Sequence, residues 1–362
     1  ASGAPRFDHD PVARAPRGVL IEAAAGHIST QTANIPAWAG ASGTNVNRTS
    51  YFSGGVAVEH FGPSSGYRSQ QYTLAANTSY RSDAIVERGV GTNAPPHFLM
   101  GFYRNTPGWI SSAYFYWNGI FGAGPGALAS SGHIIENLGI GPNGGQMFRF
   151  SCVVQSGEGG STGFFFYPTA TYGSVAGQSA IVHYACVTAG TPYHSPSIIG
   201  TSAQTRASDS LSMPLPIVPA DGFTIAFRAR MPRVNNSTDT NVLFSLLPAA
   251  STADRITVDS YSGVGTVWMG MPPSGLYRLA MGVPLGGEFY GAISWSATQG
   301  YRGSVLGGAV IKVSTLPPPV AALTRIALGS SAGAAPWGST IKRLGIWPHG
   351  DFSDDAMRGL LA

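Results

Sequence analysis

The sequence predicts an all-β protein of two tandem jelly-roll β-sandwiches, joined by an extended linker and ending in one short C-terminal helix. Length, composition and pattern lead there. The chain has 362 residues, more than one hydrophobic core usually serves. Gly (49) and Pro (26) are abundant. Charged residues make up 10%, against roughly 25% in an average soluble protein. Finally, short apolar runs alternate with Gly, Pro and Asn turns in two similar blocks, separated by a polar stretch. Few charges and many turn formers describe sheets with a neutral, polar surface. The 43% hydrophobic content excludes wholesale disorder.

The chain divides into a leading segment (1–33), a first β-module (34–192), a linker (193–209) and a second β-module (210–362). In the leading segment, Pro5-Arg6-Phe7-Asp8-His9-Asp10-Pro11 is turn chemistry, and Gly18–Glu22 reads as one short strand. Asp8 and Asp10 are the one place where a structural calcium ion is conceivable, but an Asp-x-Asp beside proline reads first as a hydrogen-bonded turn.

The first module predicts strands over Val56–His60, Gly66–Leu74, Ala84–Arg88, His97–Tyr103, Ala113–Trp117, His133–Leu138, Gln146–Val154, Gly163–Tyr167 and Ala180–Val187. Phe148, Phe150, Cys152 and Val154 alternate as one face of a half-buried strand. The linker is rich in Pro, Ser and Thr without amphipathic period, which suits an extended connector. The second module predicts Phe223–Arg230, Val242–Leu247, Arg255–Asp259, Thr266–Met269, Tyr277–Met281, Glu288–Ser296, Ala309–Val313, Thr324–Leu328 and Thr340–Trp347. Ser353 is placed to cap a short helix over Asp354–Leu361, with acids in its first turn where the helix dipole favours them.

Formal net charge is +4, but the basic residues are scattered singly, and Lys occurs only at 312 and 342. Nucleic-acid binding needs clustered cations, so that class is set aside. A mildly basic surface still suits an acidic polysaccharide. No run of 18 apolar residues occurs, so no membrane insertion is expected. The chain begins Ala1-Ser2-Gly3 with no basic-then-apolar leader, so any signal or preceding domain is expected to be absent from it. Cys152 and Cys186 sit in apolar strand-like runs and read as buried free thiols. A disulfide between them is geometrically open if their strands are neighbours.

Ala1-Ser2-Gly3-Ala4-Pro5-Arg6-Phe7-Asp8-His9-Asp10-Pro11, followed by Arg17-Gly18-Val19-Leu20-Ile21-Glu22, resembles the leading segment of tail-fibre and other adhesin-like proteins of phages and prophages. The resemblance implies a jelly roll similar to a carbohydrate-binding module over 34–192. Next comes a joint ending in Thr205-Arg206-Ala207-Ser208-Asp209, and a concanavalin A-like or laminin G-like sandwich over 210–362. Ile341-Lys342-Arg343-Leu344-Gly345-Ile346-Trp347-Pro348 and Phe352-Ser353-Asp354-Asp355-Ala356-Met357 fit the family's ending. One departure is Ala23-Ala24-Ala25-Gly26-His27, which replaces the family's polar stretch after Glu22.

Motifs for catalysis are weak. Gly-x-Ser-x-Gly occurs at Gly62-Pro63-Ser64-Ser65-Gly66 and Gly329-Ser330-Ser331-Ala332-Gly333, but neither has the strand-before, helix-after context of a nucleophile elbow. Gly139-Ile140-Gly141-Pro142-Asn143-Gly144 mimics a dinucleotide fingerprint, but a strand follows it, so it reads as a hairpin turn. The eight His residues are isolated, without zinc spacing, and each reads as a surface or turn residue. No cofactor is expected. Retaining glycoside hydrolysis needs two carboxyl groups roughly 5–5.5 Å apart. Glu288 is the single Glu of the second module, and Asp254 and Asp259 are an odd step apart on one strand.

What remains is aromatic surface, since sugar rings stack their C–H faces on Trp and Tyr. The richest segments are Tyr103–Trp109 and Tyr114–Asn118, and in the second module Trp268, Tyr290, Trp295, Tyr301 and Arg302. Tyr103, Arg104 and Trp109 are the first candidate sugar ligands and Tyr301 and Arg302 the second, because Pro/Gly-rich loops are expected to carry them. Trp337 and Trp347 are assigned to structure. The favoured expectation is a non-enzymatic receptor-binding protein on the surface of a virion or phage-like particle, a tail fibre or spike that recognises host cell-surface polysaccharide. Other particle proteins are its further partners, and a homo-oligomer, trimeric by preference, is its expected state. The alternatives are a capsule-degrading hydrolase or lyase, and a purely structural virion segment.

Overall fold

The computed structural model describes residues 6–9, 16–22, 25–40, 45–61, 67–89, 97–106, 108–167, 178–190, 204–206, 211–215, 222–232, 241–248, 256–261, 265–271, 275–313, 323–329 and 335–360. Among them, 28 strands form four sheets, and the helices are one 3-10 turn at Ile35–Ala37 and one α-helix at Asp354–Gly359. The all-β expectation holds. The chain groups into two units: Pro11–Ala13 with Ala25–Arg206, and Ala1–Asp10 and Arg14–Ala24 with Ala207–Ala362. The N-terminal strands thus count with the C-terminal unit. Arg6–His9 pairs with Pro16–Ile21, which adds antiparallel to Ser339–Trp347. Of the linker, Gln204–Arg206 is described and pairs with Ala25–His27; the rest of 193–209 lies outside the described residues, as do Asp10, Asp254, the first Gly-x-Ser-x-Gly and most of the second.

The unit spanning Ala25–Arg206 is a sandwich of a six- and an eight-stranded sheet. Phe98, Phe102, Phe164 and Phe166 of the six-stranded sheet meet Val86, Phe148, Phe150, Cys152 and Val154 of the other. The other unit packs two seven-stranded sheets, with Ile225, Phe227, Ile293 and Trp295 facing Phe244, Leu246, Val258, Met269 and Ile326. Trp337 is fully buried there, and its indole N–H donates to the Arg230 carbonyl at 2.9 Å. The helix starts where the cap is, with the Ser353 hydroxyl accepting from the Ala356 N–H. Strands Phe223–Arg230 and Glu288–Ser296 match the sequence reading residue for residue. The pseudo-fingerprint is a hairpin turn between Ser131–Ile140 and Gln146–Gln155.

Cys152 and Cys186 are free, buried thiols, each pushed up to about 12 by burial. Their strands flank Ser79–Arg88 on opposite sides, with Cys152 opposite Ser82 and Cys186 opposite Asp83. Two strand spacings, about 10 Å, separate them, beyond disulfide reach. They also point to opposite faces, Cys152 into the main core and Cys186 into a small cluster with Ala33, Ile85, Met147 and Tyr184.

That second face of the eight-stranded sheet carries buried charge. Arg81, Asp83 and Glu87 are all 0% exposed. Arg149 donates from Nε and Nη2 to Asp83 Oδ1 at 3.1 and 2.8 Å. Arg81 Nη1 donates to the Ser151 hydroxyl at 3.0 Å. Glu87 accepts from the backbone of Asn143 and Gly145 and from Asn143 Nδ2 at 3.0, 2.7 and 2.9 Å, and faces His183 Nε2 at 2.9 Å. The Tyr51 N–H donates to His183 Nδ1, which leaves the ring proton of a neutral His183 on Nε2, towards Glu87. The expectation of surface histidines is thus corrected for His27, His60 and His183, all buried. Polar cover on an outer sheet face hides what an isolated residue in sequence cannot reveal.

This burial sets two expected outcomes. Arg149→Leu deprives the Asp83 carboxylate of the Arg149 guanidinium and lowers unfolding free energy by about 3–5 kcal/mol, read from a denaturant midpoint. The second concerns acid. Burial first, then the charge of Arg68, lowers the His60 pKa to about 3, and neither ring nitrogen has a hydrogen-bond partner among the described residues. The unfolded chain binds this proton near 6.5, so stability falls as pH drops from about 6.5 towards 3, by at most about 1.4 kcal/mol per pH unit. Burial alone would raise the Glu87 carboxyl, but its hydrogen bonds from His183, Asn143 and Gly145 outweigh that and hold it low. Its contribution is present above the ordinary carboxylate range and lost as pH falls through the lowered value. His60→Leu is expected to fold at neutral pH and to flatten the first part of this acid slope; an unchanged slope would assign it to other groups.

Candidate aromatic binding face

Three neighbouring strands of the six-stranded sheet build the candidate site: Gly108–Tyr116, His97–Arg104 and Gly160–Tyr167. Since Phe98, Met100, Phe102, Phe164 and Phe166 fill the core, alternation sends Leu99, Tyr103, Phe165 and Tyr167 to the other face. Register sets Tyr103 opposite both Trp109 and Gly163, and Leu99 opposite Tyr114 and Tyr167. A Cβ on Gly163 would stand 2.2 Å from Cε2 of Phe165, so the glycine is what lets that ring lie flat against the sheet backbone.

The rings around it close a circuit. Tyr67 meets Phe165 at 4.9 Å between centroids, Phe165 meets Tyr103 at 5.2 Å, and Tyr103 meets Trp109 at 5.6 Å. Trp109 meets Tyr167 at 5.7 Å, and Tyr167 returns to Tyr67 at 5.4 Å. Tilted and edge-on geometries at these spacings are the favourable ones. Phe165 is 9% exposed and forms the floor, while Tyr67, Tyr103, Trp109 and Tyr167 are half-exposed. His97 extends the aromatic face, 4.4 Å from Tyr114 and 5.7 Å from Tyr116. The surface offers partly exposed aromatic rings that carry phenolic hydroxyls and an indole N–H. That combination stacks on sugar C–H faces and hydrogen-bonds their hydroxyls.

The structure brings Tyr103 and Trp109 together but not as loop residues. Gly108 takes a positive φ of 103° and restarts the strand, and Trp109 pairs within it. Arg104 is spent on structure: Nε donates to the Thr162 hydroxyl at 2.9 Å, and Nη2 to the carbonyls of Ser156 and Gly159. It ties down the turn before Gly160–Tyr167. Tyr67, Phe165 and Tyr167 were missed by sequence reading, although Phe165 and Tyr167 show the same two-residue alternation as Tyr103.

The second candidate pair is corrected. Tyr301 is 4% and Arg302 1% exposed, in a strand Gly300–Val305 that the sequence reading did not assign. Gly300, with φ 68°, ends a tight turn and starts that strand at once. Tyr301 packs against core Trp295 at 6.2 Å, and burial pushes its phenol up to about 12. Arg302 donates to the Gly350 carbonyl at 2.6 Å and pairs with Asp354 at 3.2 Å. Both side chains are buried, against the expectation of exposed loop positions.

Across three strands of the other sheet, Asp259, Trp268 and Arg278 stand in one row. Asp259 is buried and accepts from the Thr257 hydroxyl at 3.3 Å. Glu288 is exposed and paired with Arg228 and Lys342, each at 3.2 Å. No group of three or more His, Cys, Asp or Glu placed to hold a metal occurs among the described residues. No helix among them is long and apolar enough to cross a membrane.

What the fold and the face define is an all-β protein of two sandwich units, one of which bears an aromatic platform. No protein-family model matches the chain, and no curated protein matches it. Among solved structures, it is similar to a heptameric SAP-like pentraxin from Limulus polyphemus, with a TM-score of 0.32 and 13% identity over 42% of this chain and 75% of that one. It is also similar to the tail fiber protein gp63.1 of an E. coli phage, with a TM-score of 0.23 and 11% identity, covering 90% of this chain and 40% of that one. The chain therefore spans less than half the length of that tail fibre.

The circuit is expected to separate structural from exposed rings. Phe165→Ala should cost about 3 kcal/mol as a cavity forms under the platform. Gly163→Ala should cost about 1–3 kcal/mol by forcing that ring off the backbone. Trp109→Ala should cost only about 1 kcal/mol, the worth of its ring contacts. Chemical unfolding of the three variants checks the order; a Gly163→Ala protein as stable as the parent would show that Phe165 does not lie against the sheet.

Proposed function

We propose that this chain is a non-enzymatic adhesin of a phage or phage-like particle, a tail fibre or spike segment, that holds host cell-surface polysaccharide on the aromatic face of its N-terminal unit. The observation that carries the reading is the closed circuit of Tyr67, Phe165, Tyr103, Trp109 and Tyr167, with four half-exposed rings over one buried floor. A purely structural face would not need to leave four rings partly exposed, and a neutral aromatic pavement is suited to stacking sugars. The sequence resemblance to phage and prophage adhesins supports the particle, and the leading segment and C-terminal strand that carry it pair with one another. Single sugar sites are weak, and linking them raises apparent affinity by about 10²–10⁴, so a homo-oligomer, a trimer by preference, serves this role.

The test is an array of bacterial capsular and O-antigen polysaccharides probed with the full chain, with polymer length followed in parallel. Retention of at least one polymer at unchanged length is expected, and Trp109→Ala should weaken it by about 1–3 kcal/mol, or roughly 5- to 150-fold. Shortening of the polymer would replace the adhesin with a depolymerase. Intact binding by Trp109→Ala would remove the aromatic face from the site. Light scattering checks the assembly, and a monomer mass across micromolar concentrations would refute it.

A further inference from the structure

In the C-terminal unit, the seven-stranded sheet that carries the helix places Ser339–Trp347, Phe223–Arg230 and Glu288–Ser296 side by side. Ile225, Phe227 and Ala229 face the core, so Ala226 and Arg228 face outward. One outward row is Gly345, Ala226 and Ala292. The helix covers it, with Met357 clustered against Ala226 and Ala292 beside Trp347, Phe352 and Leu360. The next row is Arg343, Arg228 and Tyr290. Arg343 is exposed, and Arg228 and Tyr290 are half-exposed.

We propose that Arg343, Arg228 and Tyr290, flanked by Trp347, form a second binding site, which takes the carboxylate or sulfate groups of an acidic polysaccharide. Two guanidinium groups directly opposite each other on adjacent strands repel, and such a pair normally carries an unfavourable cross-strand term. Here the local charge is not balanced. A bulge at Arg228/Ala229 inserts Lys342 into the same surface, and with Arg230, which stands opposite Glu288, four cations surround that one anion among the described residues. Glu288 is occupied by Arg228 Nη2 and Lys342 Nζ. Arg343 has no ion pair among the described residues. The helix acids do not supply one, since Asp354 pairs with Arg302 and Lys312, and Asp355 with Arg358. The two side chains therefore leave neighbouring strands from directly paired positions, about 5 Å apart at the backbone, and their flexible stems let both guanidinium groups converge on one oxyanion.

An aromatic plane lies beside it. A Cβ on Gly345 would stand 2.5 Å from Cη2 of Trp347, so the half-buried indole lies along its strand over Gly345, towards Arg343. The indole packs in the cluster under the helix and against Phe352 at 5.9 Å, so it flanks the arginines as an apolar edge, and Tyr290 closes the row on the far side. Charge complementarity selects the occupant: a polyanionic glycan. This inference concerns a different unit and does not rest on the aromatic platform.

The full chain is tested by biolayer interferometry against sodium polygalacturonate, dextran sulfate and neutral dextran, at low and at physiological salt. One or both acidic polymers should bind above neutral dextran, and which of them binds names the oxyanion. Arg343→Ala should weaken that binding about 5- to 10-fold and reduce the dependence of log affinity on log salt by about one unit. Arg228→Ala should act similarly, and the accompanying fall in salt dependence, which stacked aromatics do not carry, separates this site from the aromatic platform. Lys312→Ala, on the same sheet but outside the row, is the charge control. The proposal is overturned if neither acidic polymer outbinds neutral dextran, if Arg343→Ala binds like the parent, or if Lys312→Ala weakens binding as much as Arg343→Ala.

Discussion

The strand Ser79–Arg88 is buried on both faces, and the N-terminal unit is organised by that constraint. One face is apolar, with Tyr80, Ala84 and Val86 in the core. The other carries Arg81, Asp83 and Glu87, fully buried. Charges taken out of water must be paired and hydrogen-bonded or they cost several kcal/mol each. Their partners are far away in sequence: Arg149 and Ser151 on one neighbouring strand, His183 on the other, and the turn at Asn143–Gly145. The layer can form only when both neighbouring strands are in register, which ties the sheet's order to its charge pairs. A register slip by one residue would put a carboxylate into the phenylalanine core.

The six-stranded sheet meets the same period with different chemistry. Its outward face places aromatic rings where the eight-stranded sheet places charges. Rings tolerate partial exposure because their edges and hydroxyls stay wet while their faces pack. Gly163 gives up a side chain so that Phe165 can serve as a floor, and the half-exposed rings stand around it. Such a platform rests on cross-strand neighbours instead of a loop, so it is held by the sheet's own hydrogen bonds. That rigidity reduces the ordering cost of holding a ligand.

The two proposed surfaces would read different features of a polymer. Stacked aromatics respond to the shape and apolar faces of sugar rings and are tolerant of substituents. Opposed arginines respond to charge and are weakened by salt. Their energetics are therefore separable. In the C-terminal unit, the short helix covers one outward row, because Met357 packs on Ala226 and Ala292.

The sequence by itself determined the all-β class, most strand positions and the capped helix. These depend on local chemistry: alternation in Gln146–Gln155, turn residues at Pro142-Asn143-Gly144, and the Ser353 cap. It also pointed to Tyr103 and Trp109, since an aromatic-rich hairpin is visible in one stretch of chain. Tertiary structure decided whether each polar or aromatic side chain is exposed. Arg104, Tyr301 and Arg302 look available in sequence, yet Arg104 closes a turn and the other two are buried. Tyr67 and Tyr167 look ordinary in sequence, yet they complete the ring circuit. Cys152 and Cys186 sit two strands apart on opposite faces, which no spacing along the chain reveals. Burial depends on what the opposite sheet, the helix or a distant turn lays over a residue, and those neighbours are chosen by strand order, a property of the folded chain and not of any local stretch.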